Sequence, residues 1–104
     1  MSVHDWLTPD WPAPANVRAC VTTRSGGISA APFETFNLGD HVEDDPQAVV
    51  SNRQHLVDAL GCQPAWLRQV HGTGVFHARA PAQPLAAAEE PVADAAVTAV
   101  PGVV

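Results

Sequence analysis

Asp45-Pro46-Gln47-Ala48-Val49-Val50-Ser51-Asn52-Arg53-Gln54-His55-Leu56-Val57-Asp58-Ala59-Leu60-Gly61 is the stretch on which the fold class turns, because it supports a single reading. Asp45 has the short acceptor side chain that caps a helix N-terminus. Pro46 suits the first helical position, where a missing N–H costs nothing. Asp40, Glu43 and Asp44 precede the cap and place negative charge where the helix dipole favours it. Val49, Leu56 and Leu60, with Val50 and Val57 beside them, recur at helical spacing and predict the buried face. Gly61 offers the left-handed stop. The pattern predicts a helix over residues 46–60.

On either side the periodicity changes to that of strands. Val17, Ala19 and Val21 alternate with Arg18, Cys20 and Thr22, which predicts a half-buried strand over 17–23 ending at the Ser25-Gly26-Gly27 turn. Residues 66–71 read as a second strand, with Trp66 and Val70 on one face and Leu67, Gln69 and His71 on the other. Gly72-Thr73-Gly74 then turns the chain, and 75–78 would be the hairpin partner. Residues 95–99 predict a further strand before the Pro101-Gly102 turn. Residues 8–14 are punctuated by proline and form no regular element, and 80–91 read as a low-complexity loop. Residues 28–43, with Phe33 and Phe36, are long for a connection without periodicity, and such segments often carry function. One helix among short strands predicts an α+β domain with a mixed or antiparallel sheet.

The chain has 104 residues, enough for one small domain, and 46% of them are apolar, enough for a core. Eleven acidic residues face five arginines and no lysine, for a formal charge of −6. The arginines, at 18, 24, 53, 68 and 79, form no stripe, which argues against nucleic acid as a partner. Neither a leader peptide nor a membrane span is visible, so a soluble cytoplasmic protein is expected. Cys20 and Cys62 are isolated thiols without the spacing of a disulfide framework. The sequence breaks off at Val103-Val104 as an apolar run begins. That predicts the N-terminal portion of a longer domain, whose apolar end offers a route to self-association.

Chemistry is sparse when the residues are taken one at a time. The histidines at 4, 41, 55, 71 and 77 show no tight metal-ligand spacing. His4 sits in the terminus, His55 reads as a solvated helix residue, and His77 as structural. His71 stands at a strand end before glycines that would admit a ligand or another backbone. A hairpin-end histidine satisfied by a carbonyl is the plainer account of it. Arg24 lies in a glycine turn able to face an anion, or simply to pair with a carboxylate. Asp40, His41, Glu43, Asp44 and Asp45 are adequately explained by the helix that follows.

Five phrases in register change these odds. Thr22-Thr23-Arg24-Ser25-Gly26-Gly27-Ile28-Ser29 comes first, then Phe36-Asn37-Leu38-Gly39-Asp40-His41-Val42, and then Asp44-Asp45-Pro46 leading to Asn52-Arg53. Trp66-Leu67-Arg68-Gln69-Val70-His71-Gly72-Thr73 and Ala93-Asp94-Ala95-Ala96-Val97-Thr98 complete the set. Together they resemble the YfiH family, also called laccase-domain or multicopper polyphenol oxidase-like proteins, from about Trp11 onward.

The resemblance implies a cysteine-hydrolase-type α+β fold, incomplete here, and a zinc site of one cysteine and two histidines. His71 matches the first ligand, and so becomes both the metal and the catalytic candidate. The other two ligands would follow Val104; neither Cys20 nor Cys62 replaces that cysteine. Arg24 and Asn37 match positions near the pocket and are the substrate-binding candidates, for phosphate or ribose. His41 matches a family position without a role argued for it. Glu43 departs from the family, which commonly has glycine there.

Implied activities are phosphorolysis of adenosine, inosine and methylthioadenosine, and deamination of adenosine. Alternatives are editing of peptidoglycan precursors and, for this chain alone, a non-catalytic fragment or binding module. Copper oxidase chemistry ranks last, since clustered His-x-His ligands are absent from the sequence.

Overall fold

The computed structural model describes residues 5–80, 89–101 and 103. Its elements are helix α1 (Pro46–Leu60) and strands β1 (Val75–His77) and β2 (Ala95–Val97), an α+β arrangement in which irregular backbone carries most of the chain. No helix among the described residues is long and apolar enough to cross a membrane.

The ends of α1 form as its residue types dictate. Asp45, at φ −55° and ψ 120°, accepts the Gln47 N–H through its carboxylate at 3.0 Å. At the other end Gly61 adopts φ 73° and donates its N–H to Val57 O at 2.8 Å.

The face that α1 buries is the expected one at Val49 and Leu56 but not at Val50 and Leu60. Ala48, Val49, Asn52 and Leu56 are buried, whereas Val50 and Leu60 are 62% and 38% exposed. The most enclosed side chain among the described residues is polar: Asn52 is 1% exposed. Its Oδ1 accepts the Ile28 N–H at 3.0 Å, and its Nδ2 donates to Ser29 Oγ at 2.8 Å and to Asn37 O at 2.9 Å, with Thr35 O at 3.3 Å. Among the described residues the segment over α1 has no partner strand; its backbone groups are satisfied partly by bonds within the loop and partly by this one amide on the helix.

Gly27 is placed by the same contact. A Cβ there would collide with Thr35 O and Asn52 Oδ1 and lie 2.8 Å from Phe36 Cα. Beneath this loop Phe36 is 4% exposed. Trp6 stacks on it at 6.0 Å between centroids, and His55 meets it edge-on at 5.8 Å. His55 is therefore half-buried against an aromatic ring rather than merely solvated.

The strand expectations are corrected in several places. β1 pairs with β2, in parallel, with Val75 opposite Ala95 and His77 opposite Val97. No hairpin joins residues 66–71 to 75–78. Instead Arg68 makes an isolated parallel bridge to Val92, through Arg68 N–H to Pro91 O at 2.8 Å and Ala93 N–H to Arg68 O at 3.2 Å. Residues 91–97 thus run beside both 68 and 75–77, taking the place the hairpin would have filled. Of the strand expected over 17–23, one antiparallel bridge remains, from Val21 to Leu7. Val17 and Val21 are 45% and 57% exposed and only Ala19 between them is half-buried, so the alternating face is largely open among the described residues. β2 is shorter than expected, and His77 is exposed on β1. Of the low-complexity loop, residues 81–88 lie outside the described residues, but its end does not behave as a surface loop: Glu90 is 5% exposed.

Glu43 holds φ 70°, the left-handed conformation glycine adopts without penalty. This is the physical reason a glycine suits the position. Relief of the Cβ clash outweighs the extra chain entropy glycine brings to the unfolded state. Glu43→Gly is expected to raise the unfolding free energy by about 0.5–1 kcal/mol, read as a higher urea midpoint with unchanged slope; an unchanged or lower midpoint would refute this.

Candidate functional site

His71 lies on a turn whose shape is imposed by one carboxylate. Asp94 accepts three consecutive backbone N–H groups: Val70 and His71 on Oδ1 at 3.0 and 2.7 Å, and Gly72 on Oδ2 at 2.7 Å. Just beyond, the Asp94 N–H returns to Gly74 O at 3.1 Å. Chelation by three donors holds His71 at φ 56°, a region non-glycine residues enter at a cost that surrounding contacts must offset. The ring is left exposed. The bond from the Gly72 N–H, followed by those from His71 and Val70, holds the Asp94 carboxyl below the usual carboxylate range, against the opposing effect of burial.

Gly72 and Gly74 are not what permits this approach. A Cβ at Gly72 would lie 3.5 Å from Asp94 Oδ2, and one at Gly74 3.8 Å from Ala93 Cα, both ordinary contacts. The clamp requires an aspartate more than it requires glycine.

Arg24 and Asn37 line one cavity of about 400 Å³, together with Thr22, Phe33 and Glu34. His71 is not part of its lining. The turn carrying Arg24 is tied down on both sides. Asp5 accepts the hydroxyls of Thr23 and Ser25 at 2.5 and 2.6 Å, and Arg24 O accepts the N–H groups of Thr35 and of Phe36, the latter at 2.8 Å. The Arg24 side chain itself is exposed.

Asn37 is largely committed within its own loop. Its Nδ2 donates to Gly39 O at 3.0 Å and Asp44 Oδ2 at 3.1 Å, while Oδ1 accepts the Gly39 N–H at 3.0 Å. Both donor hydrogens are spent, leaving one acceptor site on Oδ1 for a ligand. Asp44 also accepts from Ser29 Oγ at 2.7 Å and from the Asp45 N–H at 2.7 Å. The Ser29 hydroxyl, with Asn37 and the Asp45 N–H, keeps its carboxyl below the usual range even though burial acts the other way.

The expectation that the acidic run is explained by the helix holds for Asp45, which caps it. Asp44 instead ties Ser29 and Asn37 together, and Asp40 faces Arg53 at 3.6 Å. His41 Nδ1 lies 3.3 Å from Asp40 Oδ1. Beside this group a second cavity, of about 280 Å³, is lined by His41, Arg53, Trp66 and Gln69 among others.

Among the described residues no group of three or more His, Cys, Asp or Glu side chains converges to hold a metal ion. Cys20 and Cys62 are free thiols. Among the described residues His71 stands as a single candidate ligand, with no such group around it.

Reading single residues missed the Asp94 clamp, the Asn52 hub and the Arg53 group. The available signals were an asparagine in the middle of an apolar helical face and an isolated aspartate opening a strand.

An α+β fold with an exposed histidine on a carboxylate-clamped turn defines a class of protein, and comparison with known proteins supplies the family. Residues 18–104 match the family described as multi-copper polyphenol oxidoreductase laccase. The chain belongs to this family, which includes the YfiH proteins.

It is 59% identical over 101 residues to purine nucleoside phosphorylase PA4543 of Pseudomonas aeruginosa, covering 97% of this chain and 39% of that protein. It is 46% identical over 72 residues to purine nucleoside phosphorylase YfiH of Escherichia coli, covering 67% of this chain and 30% of that one. Among solved structures it resembles Neisseria meningitidis protein NMB0706, with a TM-score of 0.79 and 42% identity over 95% of this chain and 39% of that one. The chain thus spans about 40% of the length of relatives matched along nearly all of it.

Proposed function

We propose that this chain is the N-terminal portion of a zinc-dependent purine nucleoside phosphorylase, acting on adenosine, inosine and methylthioadenosine and also deaminating adenosine. The observation that carries this reading is the Asp94-clamped His71 turn, in a chain 59% identical to a protein named a purine nucleoside phosphorylase. His71 would be the first of three zinc ligands, the other two coming from the remainder of a family-length protein. Zinc held by three protein ligands with one open position polarises a substrate or lowers the pKa of bound water.

Within this chain, Asp94 fixes the backbone that presents the imidazole, and the exposed Arg24 guanidinium is suited to bind phosphate. Asn37 Oδ1 retains one lone pair for a ribose hydroxyl. The completed domain would take the cysteine-hydrolase-type fold and work in the cytoplasm. The chain alone, with one ligand, is expected to be inactive.

The test compares this chain with a family-length protein carrying it, by zinc content and by release of ribose 1-phosphate from adenosine. Stoichiometric zinc and turnover in the longer protein only, with neither in this chain, is the expected result. Zinc without action on nucleosides would overturn the substrate and favour peptidoglycan precursors instead. No zinc in either protein would overturn the metal assignment.

A further inference from the structure

Glu90 occupies an unusual place for an acid at the edge of a low-complexity stretch: its side chain is 2% exposed. Arg53 Nη1 lies 3.3 Å from Glu90 Oε1 and 3.6 Å from Asp40 Oδ2. The guanidinium is fixed by its Nε, which donates to Leu38 O at 2.8 Å, and by the Trp66 ring, 4.0 Å from its centre. Glu90 Oε2 is buried and has no hydrogen-bond partner among the described residues. Asp40 and Glu90 are thus brought together on the same Arg53 Nη1.

One guanidinium thus faces two carboxyl groups in a corner largely closed to water. If both were ionised, one negative charge would go uncompensated and one buried oxygen would lack a donor. A single proton removes both difficulties, because a protonated carboxyl donates to its ionised neighbour. His41, 3.3 Å from Asp40 Oδ1, favours Asp40 as the ionised member.

Glu90 also begins the strip that reaches the candidate site. Pro91 and Ala93 bridge to Arg68, and Asp94 clamps residues 70–72. The strip is held at one end by Arg53 of α1 and at the other by the His71 turn.

We propose that Asp40 and Glu90 hold one proton between them, carried on Glu90, and that this pair positions the strip that brings Asp94 to the His71 turn. The proposal concerns the backbone of that turn and does not depend on a metal binding there.

The direction of the pH response follows. Burial, then the hydrogen bond and charge of Asp40, raise Glu90 from 4.5 to about 7 despite the opposing Arg53. Burial pushes Asp40 upward too, but hydrogen bonds with Glu90 and His41 and the charge of Arg53 hold it below its usual value. The folded chain therefore keeps a proton that the unfolded chain releases between pH 4.5 and about 7. The contribution is complete below the lower value and lost as pH rises through the upper one. Among the described residues Asp40, Arg53 and, through Asp40, His41 are the charged or titratable groups facing Glu90.

The test is NMR on this chain, in a His71→Gln background. The Glu90 carboxyl carbon is expected to titrate near pH 7. Protection of the residue 71 and Gly72 amides, corrected for intrinsic exchange, should fall roughly tenfold between about pH 6 and about pH 8.5, from one pH unit of unequal proton binding. Glu90→Gln keeps a neutral donor to Asp40 and should hold protection equal at both pH values. Asp40→Asn removes the like charge and should drop the Glu90 midpoint well below 7. A Glu90 midpoint in the ordinary carboxylate range would overturn the proposal. So would protection insensitive to pH in the parent, or a Glu90→Gln chain that responds to pH as the parent does.

Discussion

Replacing Asn52 by alanine is expected to lower the unfolding free energy by about 3–5 kcal/mol, a large part of what a small domain possesses. The cost comes mainly from what is left behind. The Ile28 N–H loses its acceptor and the Asn37 carbonyl its donor, while Thr35 O keeps the Ser29 N–H and loses only its longer bond. Each buried polar group without a partner costs about 1–3 kcal/mol. Asn52→Leu should be no better, since apolar volume at this position serves none of those groups. Gly27→Ala should be comparably damaging, because two of the three atoms its Cβ would meet are backbone. Val50→Ala, on the exposed side of the same helix, is the control, with an expected change within about 0.5 kcal/mol. Urea unfolding of the set decides the matter. An Asn52→Ala chain as stable as Val50→Ala would show that the loop over α1 is held by something else.

The second large effect belongs to the candidate site and is best measured in a family-length protein. On the proposed function, His71→Ala there should abolish both zinc binding and nucleoside turnover, leaving only background. Asp94→Asn should leave the fold intact yet weaken metal binding by about 10- to 100-fold, the usual loss when a group orienting a ligand is removed. Asparagine offers one acceptor oxygen where the three N–H groups of residues 70–72 use both carboxylate oxygens. It also lacks the charge that strengthens those bonds. Because the folded Asp94 carboxyl is held below its ordinary value, its contribution is present above about pH 3.9 and is lost only as pH falls through the depressed value. The turn should therefore stay intact through the ordinary carboxylate range. Unchanged metal affinity in Asp94→Asn would mean that the clamp shapes the turn without serving the ligand.

What could be read from the sequence divides along physical lines. α1 was legible to the residue, from Asp45 to Gly61, because caps and helical periodicity are local properties. Its buried face was misjudged at Val50 and Leu60, since hydrophobicity alone does not reveal that a neighbouring loop needs hydrogen bonds. The α+β class was legible, but the pairing was not. A hairpin at Gly72-Thr73-Gly74 is the natural local inference, and it loses to an aspartate more than twenty residues away that takes the turn's own donors. His71 emerged through five motifs in register, and its backbone strain was hidden because no local pattern requires it. Glu90 was hidden among alanines and prolines, where only the position of Arg53 across the fold gives a buried acid a purpose. The departure at Glu43 was visible in the motif, and its φ of 70° supplies the meaning.

The hydrogen bonds that shape the His71 turn span 22 to 24 residues, the longest amide bond of Asn52 also spans 24, and the Arg53–Glu90 pair spans 37. α1, by contrast, closes through near neighbours. Closing long loops costs entropy before any contact repays it, and chains dominated by distant contacts fold slowly. A refolding experiment should therefore register helical signal early and protection of the residue 70–72 amides late. The imidazole would acquire its fixed direction only after the rest of the chain has found its place, so a competent turn would itself certify that folding has finished.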